Sequence, residues 1–501
     1  MIHPEVDWIA KWAHYTPGRL FLRDQATGRE WTYAEAHRRA GAVAAWLRDD
    51  HGIGRGDRVA VLARNCCEHV FLFLGCVKLG AVLVPLNFRL TAPELAVPLA
   101  DAEPALVLRT AEFADRIGAI SCPAVDLDGL TALVRGAEAG ATFAADRPGD
   151  LDDLVMILYT SGTTGVPKGA MITHRMLLWN AINTELRLDL TSADHSLAFA
   201  PFFHTGGWNV LLTPFLHCGA SHTLLENFDA ALILGLIERE RVTLLFGVPT
   251  MLQMLADEPR FGATDLASLR YAIVGGAPMP VPLIDVWHAR RVFIRQGYGL
   301  TEVGPNCFSL HQDHAVDHAG SIGFPNFYIE TRVVAEDGRD CADDEVGELW
   351  LRSEVVTPGY WRKPAATAEA ITDGWFHTGD LVRRAAGGFF HVVDRKKNMY
   401  ISGGENVYPA EVEAVLVAHP AVREAAVVGI PDPRWGEAGR AFLVLNTDQA
   451  LDEADLRAHC LQRLAKFKIP REFVTIEALP RNDAGKVDRT ALGPFANPEE
   501  R

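Results

Sequence analysis

The sequence lacks the features that mark several large classes of protein. Its eight cysteines are scattered, and no two have the Cys-x-x-Cys spacing, which disfavours both a disulfide framework and a zinc ribbon. Positive charge is in deficit as well, since 48 lysines and arginines face 64 aspartates and glutamates, for a formal net charge of −16. A nucleic-acid partner is therefore not expected, because a phosphate backbone repels an acidic protein.

Long apolar runs and targeting signals are also lacking. The most apolar stretch, residues 70–86, is interrupted by Lys78 and Pro85 and falls short of the roughly 20 residues that span a bilayer. The first residues do not show the charged-then-apolar pattern of a signal peptide. We therefore expect a cytoplasmic protein with no integral membrane segment, and the sequence leaves open a homodimer.

Clusters of metal-ligating side chains are scarce. The run from His311 to His318 contains three histidines, with His314 between the two, but we interpret it as a solvated loop rather than a zinc site. The chain shows no internal repeat, and its 501 residues predict more than one domain.

What the sequence does contain is a loop rich in glycine and hydroxyl groups. The string Tyr159 to Ala170 follows the apolar run 154–158 and precedes residues 171–180, which predict the start of a helix. Glycines let a backbone approach closely, hydroxyl and N–H groups donate to phosphate oxygens, and Lys168 adds a compact positive charge. The loop is not a Walker A motif, because Lys168 precedes Gly169 rather than Ser or Thr. A polyphosphate site is the functional interpretation, and a solvated linker is the alternative.

Three further motifs interrupt the alternation of strand and helix patterns. The aromatic run 201–208 carries His204 before two glycines, which suits the gate of a pocket. Residues 275–280, Gly-Gly-Ala-Pro-Met-Pro, follow a predicted strand directly, and α/β folds bind ligands there. Residues 296–302 supply an aromatic ring, a hydroxyl and a carboxylate, and one carboxylate can hold Mg²⁺ when phosphates supply the remaining ligands. Each motif alone is equally compatible with a core turn or a solvated loop.

The expected fold is α/β, with a large N-terminal domain and a small mobile one after it. Alternating strands and helices over residues 1–330 predict stacked, doubly wound α/β subdomains. Short strands and frequent turns predict a smaller, mainly β subdomain over residues 331–394, which completes the N-terminal domain (1–394) and contains Asp380. The charged run 395–397 predicts a hinge, and residues 398–501 predict a C-terminal α+β domain.

In their order and spacing, these motifs resemble those of the adenylate-forming superfamily. The strings TSGTTGVPKG, GGAPMP, YGLTE, TGD, DRKKNMYISGGENVYPAEVE and PRNDAGK occur in the order that this superfamily uses. The chain is similar to bacterial acyl-CoA synthetases of the fatty-acid/4-coumarate branch. The resemblance implies a two-step ligase, in which ATP with Mg²⁺ converts a carboxylic acid into an acyl-adenylate and pyrophosphate, and coenzyme A then displaces AMP.

The resemblance also implies roles for individual residues. The ATP-binding set is Thr160, Ser161, Gly162, Thr163, Thr164, Gly165 and Lys168 for the phosphates, Gly276, Ala277 and Tyr298 for adenine, and Asp380 with Arg395 for the ribose. The catalytic set is Lys486 and Thr301 at the α-phosphate, Glu302 at Mg²⁺, and His204 at the junction of acyl group and thiol. Lys397 is implied as the hinge, and Ser402, Gly403 and Gly404 would lie beside coenzyme A after the small domain rotates.

The sequence favours a hydrophobic acid. In peptide-synthetase adenylation domains an Asp usually follows the Phe of this motif and pairs with an α-amino group, whereas here Phe203 precedes His204. No Arg or Lys lies between Pro201 and Gly207, which disfavours a second carboxylate. An apolar pocket is expected from Phe203, Trp208, Gly275, Gly299 and Val303. We expect a medium- or long-chain fatty acid, with an aryl acid of the cinnamate type as the alternative.

Two other classes stay open at this point. An adenylation enzyme of this kind could load a carrier protein in place of coenzyme A. A non-catalytic nucleotide-binding protein is the second class, and the presence of Lys168, Glu302 and Lys486 disfavours it.

The proposed role of Lys486 makes a first prediction. Lys486→Ala should lower the rate of acyl-adenylate formation by about 10²-fold or more, because a positioned cation at the developing charge is lost. Thioester formation from supplied acyl-AMP should be spared, and the two half-reactions can be measured separately as pyrophosphate release and as coenzyme A consumption. Equal loss of both rates would contradict this division of labour.

Overall fold

The protein is described by a computed structural model that covers residues 6–118, 122–136, 143, 149–160, 167–402, 405–446, 451–482 and 486–492. The chain divides into two compact units. Unit 1 comprises Met1–Thr331, Trp350–Thr378 and Gly387–Phe390, and unit 2 comprises Arg332–Leu349, Gly379–Ala386 and His391–Arg501. The predicted limits of 1–394, 395–397 and 398–501 stay predictions.

The described residues contain strands and helices in alternation. The strands are β1 (Leu20–Asp24), β2 (Glu30–Thr32), β3 (Arg58–Leu62), β4 (Val82–Pro85), β5 (Leu106–Arg109), β6 (Ala124–Asp126), β7 (Leu154–Thr160), β8 (Lys168–Thr173), β9 (His195–Ala198), β10 (Ser221–Leu224), β11 (Leu244–Gly247), β12 (Tyr271–Val274), β13 (Phe293–Tyr298), β14 (Phe308–Leu310), β15 (Ser321–Pro325), β16 (Glu330–Val334), β17 (Val346–Arg352), β18 (Ile371–Thr372), β19 (Trp375–Arg384), β20 (Phe390–Arg395), β21 (Tyr400–Ser402), β22 (Glu405–Val407), β23 (Val422–Asp432), β24 (Gly436–Leu445) and β25 (Glu472–Thr475). The helices are α1 (Trp8–Tyr15), α2 (Tyr33–Asp49), α3 (Cys67–Leu79), α4 (Ala92–Ala102), α5 (Asp128–Arg135), α6 (His174–Leu188), α7 (Thr205–Asn209), α8 (Leu212–Cys218), α9 (Ala230–Glu240), α10 (Pro249–Asp257), α11 (Val281–Ala289), α12 (Pro364–Ala370), α13 (Pro409–Val417), α14 (Glu453–Leu461) and α15 (Arg489–Leu492).

Unit 1 contains two sheets built mostly from parallel strands. One is six-stranded, in the order β6-β5-β3-β4-β7-β8, and it is parallel except for β8, which is antiparallel to β7. In the other, β13, β12, β11, β9, β10 and β1 lie side by side and parallel, while β14 and β2 continue it antiparallel at either end. Strand β4 is apolar and buried along its whole length, and β3 is so after its first residue, Arg58, as expected for parallel strands covered on both faces.

The core of unit 1 packs helices against these sheets. Fully buried aromatic side chains, including Trp31, Tyr33, Phe71 and Trp208, form its centre. Helix α2 begins where the sequence predicts, because Thr32 accepts the Glu35 N–H at 3.3 Å and the Glu35 carboxylate accepts the Thr32 N–H at 2.9 Å. Such a reciprocal cap satisfies two backbone donors that a helix start otherwise leaves unpaired.

Unit 2 contains a five-stranded sheet of its own. Its order is β22-β21-β24-β23, with β25 parallel to β24, and α13 packs on β23. Tyr400, Val412, Val427 and Leu443 lie in its apolar core. The sequence of this unit predicts a helix at residues 409–418 and strands at 425–429 and 441–445, and α13, β23 and β24 confirm these three elements.

One prediction near the glycine-rich loop is wrong. Residues 171–173 do not begin a helix, since they belong to β8 and pair antiparallel with β7, with Ile157 opposite Met171 and Met156 opposite Ile172. A short apolar run fits a strand and a helix equally well by periodicity, and pairing with β7 decides between them. The helix begins three residues later, at His174, where Thr173 accepts the Met176 N–H at 3.2 Å.

Candidate functional site

The carboxyl ends of several parallel strands meet at one edge of unit 1. Strands β11, β12 and β13 are adjacent, with Gly247 opposite Val274 and Val274 opposite Gln296. Residues 275–280 and 299–302 therefore emerge from neighbouring strands at the same edge. His204 follows β9, which pairs parallel with β11. Ligands of open α/β sheets bind at this edge, so the fold brings three of the sequence motifs together.

The loop at residues 275–280 is held in place by a buried glutamine. Gln296 donates from Nε2 to the Ala277 carbonyl at 3.0 Å, and its Oε1 accepts the Met279 N–H at 3.2 Å. Gly276 and Ala277 nevertheless stay exposed, and Gly276 has a φ of +81°, which glycine adopts without steric cost. The loop thus presents accessible backbone to a ligand, and its assignment to adenine stays a prediction.

Tyr298 precedes a tight turn that begins at Thr301. The Tyr298 ring is half-buried and makes an edge contact with Phe308, with 5.7 Å between ring centroids. After it, the chain turns at Thr301–Val303, and a Cβ at Gly299 would lie 2.4 Å from the Gly304 oxygen. No side chain fits at residue 299, so Gly299 serves the turn that presents Thr301 and Glu302.

The two strands that flank the glycine-rich loop form a hairpin. Thr160 lies opposite Lys168 in the register of β7 and β8, and its hydroxyl donates to the Lys168 carbonyl at 3.4 Å. The predicted phosphate ligands Ser161, Gly162, Thr163, Thr164 and Gly165 lie outside the described residues. The hairpin therefore fixes both ends of the predicted phosphate loop.

A tyrosine that the sequence analysis did not single out joins Lys168 to Glu302. The Tyr360 hydroxyl donates to Glu302 Oε1 at 3.0 Å, and the Lys168 ammonium lies over the Tyr360 ring, 5.2 Å from its centroid. Burial, followed by the neighbouring Glu302 carboxylate, raises the pKa of Tyr360 well above its usual range, so the phenol remains a proton donor at neutral pH. Residues 168, 302 and 360 are thus neighbours in unit 1.

The donor set around Glu302 suits Mg²⁺ that arrives with a phosphate ligand. Within the described part of the chain, His, Cys, Asp and Glu side chains form no group of three or more that could hold a metal ion. Mg²⁺ is commonly held by one or two carboxylates together with substrate phosphates and waters. Glu302 with Lys168 nearby fits that chemistry, whereas a resident metal held by protein alone is not indicated by these residues.

The aromatic motif at residues 201–208 divides into a core part and a pocket part. Trp208 is fully buried, stacks on Phe202 with 4.5 Å between ring centroids, and donates from its indole N–H to the Phe202 carbonyl at 2.6 Å. His69 packs against both rings, and burial lowers its pKa to about 3, so its imidazole is neutral. Phe203 and Val303 are buried too, while His204 is half-buried at the start of α7.

A half-buried phenylalanine separates the two predicted pocket loops. Phe246 lies on β11, and a Cβ at Gly206 would meet its ring at 3.5 Å, whereas a Cβ at Gly275 would meet the ring at 3.9 Å. Neither glycine has a left-handed φ, so both are glycine for the room they leave and not for their backbone conformation. The structure therefore adds Phe246 to the candidate acyl pocket, with Gly206 and Gly275 on its two sides.

In unit 2, the predicted ribose ligand is already paired. Asp380 is buried and accepts from Arg395 Nε at 2.6 Å. The Gly379 carbonyl accepts the Lys396 N–H at 2.9 Å, which holds the end of β20 beside the middle of β19 and brings Asp380 to Arg395. An Asp–Arg pair of this kind is compatible with hydroxyl binding at the remaining carboxylate lone pairs.

Lys486 belongs to the same charged neighbourhood of unit 2. The Asn482 N–H donates to the Lys486 carbonyl at 2.8 Å, and the Lys486 N–H donates to Asn482 Oδ1 at 3.0 Å. Desolvation and the positive charge of Arg395 lower the pKa of Lys486, and Asp380 acts in the opposite direction. The ammonium is thus held where an added anion would stabilise its charge.

The predicted hinge is tied to a helix by one aspartate. Asp394 Oδ2 accepts the Ala410 N–H of α13 at 2.8 Å, and its Oδ1 accepts the Arg395 N–H and the Asn398 amide at 2.6 and 3.0 Å. Desolvation lowers the pKa of Lys397, and Arg395 and Arg489 lower it further. On the coenzyme A side, Ser402 is buried and lies opposite Glu405, and the predicted Gly403 and Gly404 lie outside the described residues.

Comparison with known families identifies the architecture. The model of the AMP-binding enzyme family matches residues 9–361. The chain belongs to the AMP-binding enzyme family. A second model, that of the AMP-binding enzyme C-terminal domain, matches residues 411–486.

Relatives of this AMP-binding enzyme are ligases that act with coenzyme A. A feruloyl-CoA synthase from an Amycolatopsis species is 40% identical, over 96% of each chain. A long-chain-fatty-acid–CoA ligase from Mycobacterium tuberculosis is 37% identical, over 94% of each chain. Among solved structures, the o-succinylbenzoate coenzyme A synthetase of Bacillus subtilis in complex with ATP and magnesium has a TM-score of 0.88 at 32% identity, and the match covers 97% of this chain and 99% of that one.

These comparisons confirm the resemblance to acyl-CoA synthetases and the α/β fold class with a large N-terminal and a smaller C-terminal domain. Of the described residues, none belongs to a helix long and apolar enough to cross a bilayer. The cytoplasmic location and the homodimer stay predictions, as do the roles of the individual site residues.

Four residues of the candidate site in the AMP-binding enzyme were not predicted from the sequence. Gln296 and Asp394 stood inside motifs already quoted, but their positioning role needs partners that are remote in sequence. Phe246 and Tyr360 lay outside every motif. The local sequence signal for Tyr360 is the pair Gly359-Tyr360, which follows a polar segment. This signal is weak, because glycine–aromatic pairs are common in turns.

Burial predicts how Trp208 contributes. Trp208→Phe should lower the thermal midpoint, by a loss of stability of about 1–3 kcal/mol, because it leaves a cavity and an unpaired Phe202 carbonyl. The ratio of kcat/KM values between a short and a long acid should change less than about twofold, since the indole lies behind the pocket surface. Calorimetry and a coupled AMP assay check the two effects. A large change in acid preference at unchanged stability would instead assign Trp208 to the pocket wall.

Proposed function

We propose that this AMP-binding enzyme is an AMP-forming acyl-CoA synthetase that activates a hydrophobic carboxylic acid with Mg²⁺ and ATP and transfers the acyl group to coenzyme A. Its similarity to coenzyme A ligases over almost the full length of each chain supports the reaction class. The observation that carries the proposal is the cluster of Lys168, Tyr360 and Glu302 beside the loops at residues 275–280 and 299–302.

Adenylation solves the chemical difficulty of the reaction. A carboxylate is a poor electrophile because its leaving group would be oxide, whereas an acyl-adenylate releases AMP. Negative charge spreads over the phosphate in the transition state, so fixed cations and donors dominate catalysis. We assign the terminal phosphates to Lys168 and the flanking Thr160, the α-phosphate to Thr301, and the bridge between α-phosphate and acid to Lys486.

Glu302 is the residue proposed to hold Mg²⁺. The metal would neutralise phosphate charge in the transition state and fix the orientation of the chain of phosphates. Because one Glu302 oxygen accepts from Tyr360, its second oxygen is the one that we assign to the metal. Gly276, Ala277 and Tyr298 are proposed for the adenine, and Asp380 with Arg395 for the ribose.

The thioester step is proposed to use a different set. His204 immediately precedes α7 and lies two residues before Gly206, the glycine beside the Phe246 ring, which supports a place at the acyl–thiol junction. Ser402, Gly403 and Gly404 are proposed for the coenzyme A side. Lys397 is proposed as the hinge, and the bonds of Asp394 to Arg395, Asn398 and Ala410 are candidates to break when the hinge moves.

For the acid itself, we put an aryl acid of the cinnamate type first and a long-chain fatty acid second, which reverses the order expected from sequence. Two features support an aryl acid: the half-buried Phe246 ring lies between two glycines that leave room beside it, and flat rings stack well on aromatic side chains. Similarity to a feruloyl-CoA synthase agrees with this order. Similarity to a long-chain-fatty-acid–CoA ligase keeps the second candidate.

A substrate screen tests the order. Coenzyme A-dependent AMP release should be fastest with ferulate, coumarate or cinnamate and slower with octanoate or palmitate. Phe246→Ala should lower kcat/KM for the aryl acids by about tenfold, because the stacking surface is lost, while the aliphatic acids change little. Phe293→Ala is the matched control, since Phe293 is an exposed phenylalanine at the start of β13, and β12 separates β13 from the β11 strand of Phe246. A wild-type preference for palmitate would return the fatty acid to first place.

The pKa of Lys486 predicts the alkaline limb of the reaction. Because its pKa is lowered, Lys486 in the unliganded enzyme loses its proton below the ordinary lysine pKa of about 10.4. The value of kcat/KM for ATP should therefore fall with rising pH before that point, and kcat should fall later, since bound phosphate favours the charged ammonium. In Lys486→Arg the residual activity should lack this limb, because guanidinium stays charged up to a pH of about 12. An unchanged limb in the arginine variant would exclude Lys486 as its source.

A further inference from the structure

Hydrogen bonds of the main chain fix the position of Tyr360 independently of its side-chain contacts. The Trp361 N–H donates to the Gly169 carbonyl at 2.8 Å, and the Gly359 carbonyl accepts the Met171 N–H at 3.1 Å. These bonds lay the segment 359–361 along β8, the strand that Lys168 begins. The Tyr360 N–H donates to Thr367 Oγ1 at 2.9 Å. The position of the phenol is therefore set by strand pairing and not by a flexible loop.

The segment 357–361 forms hydrogen bonds to Glu302 at two points. The Thr357 N–H donates to the Glu302 carbonyl at 2.7 Å, and the Tyr360 hydroxyl donates to the Glu302 carboxylate at 3.0 Å. Glu302 is only 9% exposed. With its backbone and one carboxylate oxygen both fixed, the second oxygen has a defined direction, which a hydrogen bond to an ionised acceptor enforces more strongly than a neutral one.

The ring of Tyr360 acts on the opposite charge. Lys168 lies over it at 5.2 Å, within the range in which an aromatic face attracts a cation. Lys168 and Glu302, both within the described residues, form no ion pair with each other. Tyr360 thus contacts both charges while they remain apart. An ion pair between them would have to be broken before either could meet a phosphate or a metal.

We propose that Tyr360 is a positioning residue that aims the Glu302 carboxylate at the Mg²⁺ of Mg·ATP and keeps Lys168 from pairing with that carboxylate. The inference rests on the proposed function for the identity of the ligand. The two proposed effects can be separated by mutation, because the Tyr360 hydroxyl acts on Glu302 and the Tyr360 ring acts on Lys168.

Two substitutions separate these effects. Tyr360→Phe removes the hydroxyl and keeps the ring, and Tyr360→Leu removes both. ATP binding is measured by isothermal titration calorimetry on the full-length protein, in EDTA and over a series of Mg²⁺ concentrations. Tyr360→Phe should raise the Mg²⁺ concentration needed for half-maximal tightening by about tenfold, the loss expected for a hydrogen bond to a charged group, and should leave ATP affinity in EDTA within about twofold of wild type. Tyr360→Leu should weaken ATP binding in EDTA as well, because Lys168 can then approach Glu302.

A double variant tests whether Tyr360 acts through Glu302. In the Glu302→Gln background, Tyr360→Phe should cause no further loss of Mg²⁺-dependent binding, because the two changes remove one interaction. Additive losses, or an equal loss for Tyr360→Phe in EDTA and in Mg²⁺, would overturn the proposal.

Tyr33→Phe is the matched control. The buried Tyr33 hydroxyl donates to the Ala220 carbonyl at 2.7 Å, so this variant also loses one tyrosine hydrogen bond. Its thermal midpoint should fall, with Mg²⁺-dependent ATP binding unchanged, and a Tyr33→Phe effect equal to that of Tyr360→Phe would overturn the specific role. Wild-type protein that binds Mg·ATP but forms no AMP with any acid would refute the proposed function, while the binding series would still decide the role of Tyr360.

Discussion

The candidate site of unit 1 depends on one backbone pairing between segments that are far apart in the sequence. The segment 357–361 hydrogen-bonds to β8 on one side and to the Glu302 carbonyl on the other. Buried backbone groups must be paired, so this arrangement is set mainly by the main chain, and the hydroxyls of Thr357 and Thr367 add hydrogen bonds to it. It brings the strand that follows the glycine-rich loop and the turn that carries Glu302 to a common support. The charged side chains then take their positions from that support.

Each unit holds charges in an arrangement that a bound anion or metal would stabilise. In unit 1, a cation and a carboxylate contact the same tyrosine without pairing with each other. In unit 2, Lys486 lies in the field of Arg395, and its pKa is lowered as a result of desolvation and that charge. A bound anion near Lys486 would favour its charged form, which agrees with the place proposed for Lys486 at the α-phosphate.

Glycines serve different purposes around the site, and these purposes bear on what the enzyme accepts. Gly276 supplies a left-handed backbone conformation, and Gly299 supplies clearance for a turn whose carbonyl would meet a Cβ at 2.4 Å. Gly206 and Gly275 instead leave room beside the Phe246 ring. Larger residues at the first two positions would disturb the fold, whereas larger residues at the last two would contact the Phe246 ring of the proposed acyl pocket. We therefore expect substitutions at Gly206, Gly275 and Phe246 to change acid selectivity.

The sequence alone determined the family, most of the elements and the motif residues. Local patterns can be recognised without knowledge of the residues that pack against them. Examples are the cap at Thr32, the apolar strands β3 and β4, and the motifs around Gly276, Thr301 and Lys486. The helix predicted from residue 171 failed because an apolar run fits either secondary structure until β7 pairs with it. Trp208 is fully buried, and its place in the acyl pocket stays a prediction, because composition does not tell an apolar core from an apolar cavity.

Only the tertiary structure decided which residues support the motifs. Tyr360 reaches Glu302 across 58 positions of sequence, and Gln296 reaches the 275–280 loop from the next strand of the sheet. Neither contact leaves a periodic signal, because strand order and register place the partners, and these are set by packing of the whole unit. The side chains that provide the chemistry of the site thus belong to short local motifs. Their arrangement in space depends on backbone pairing between segments far apart in the chain.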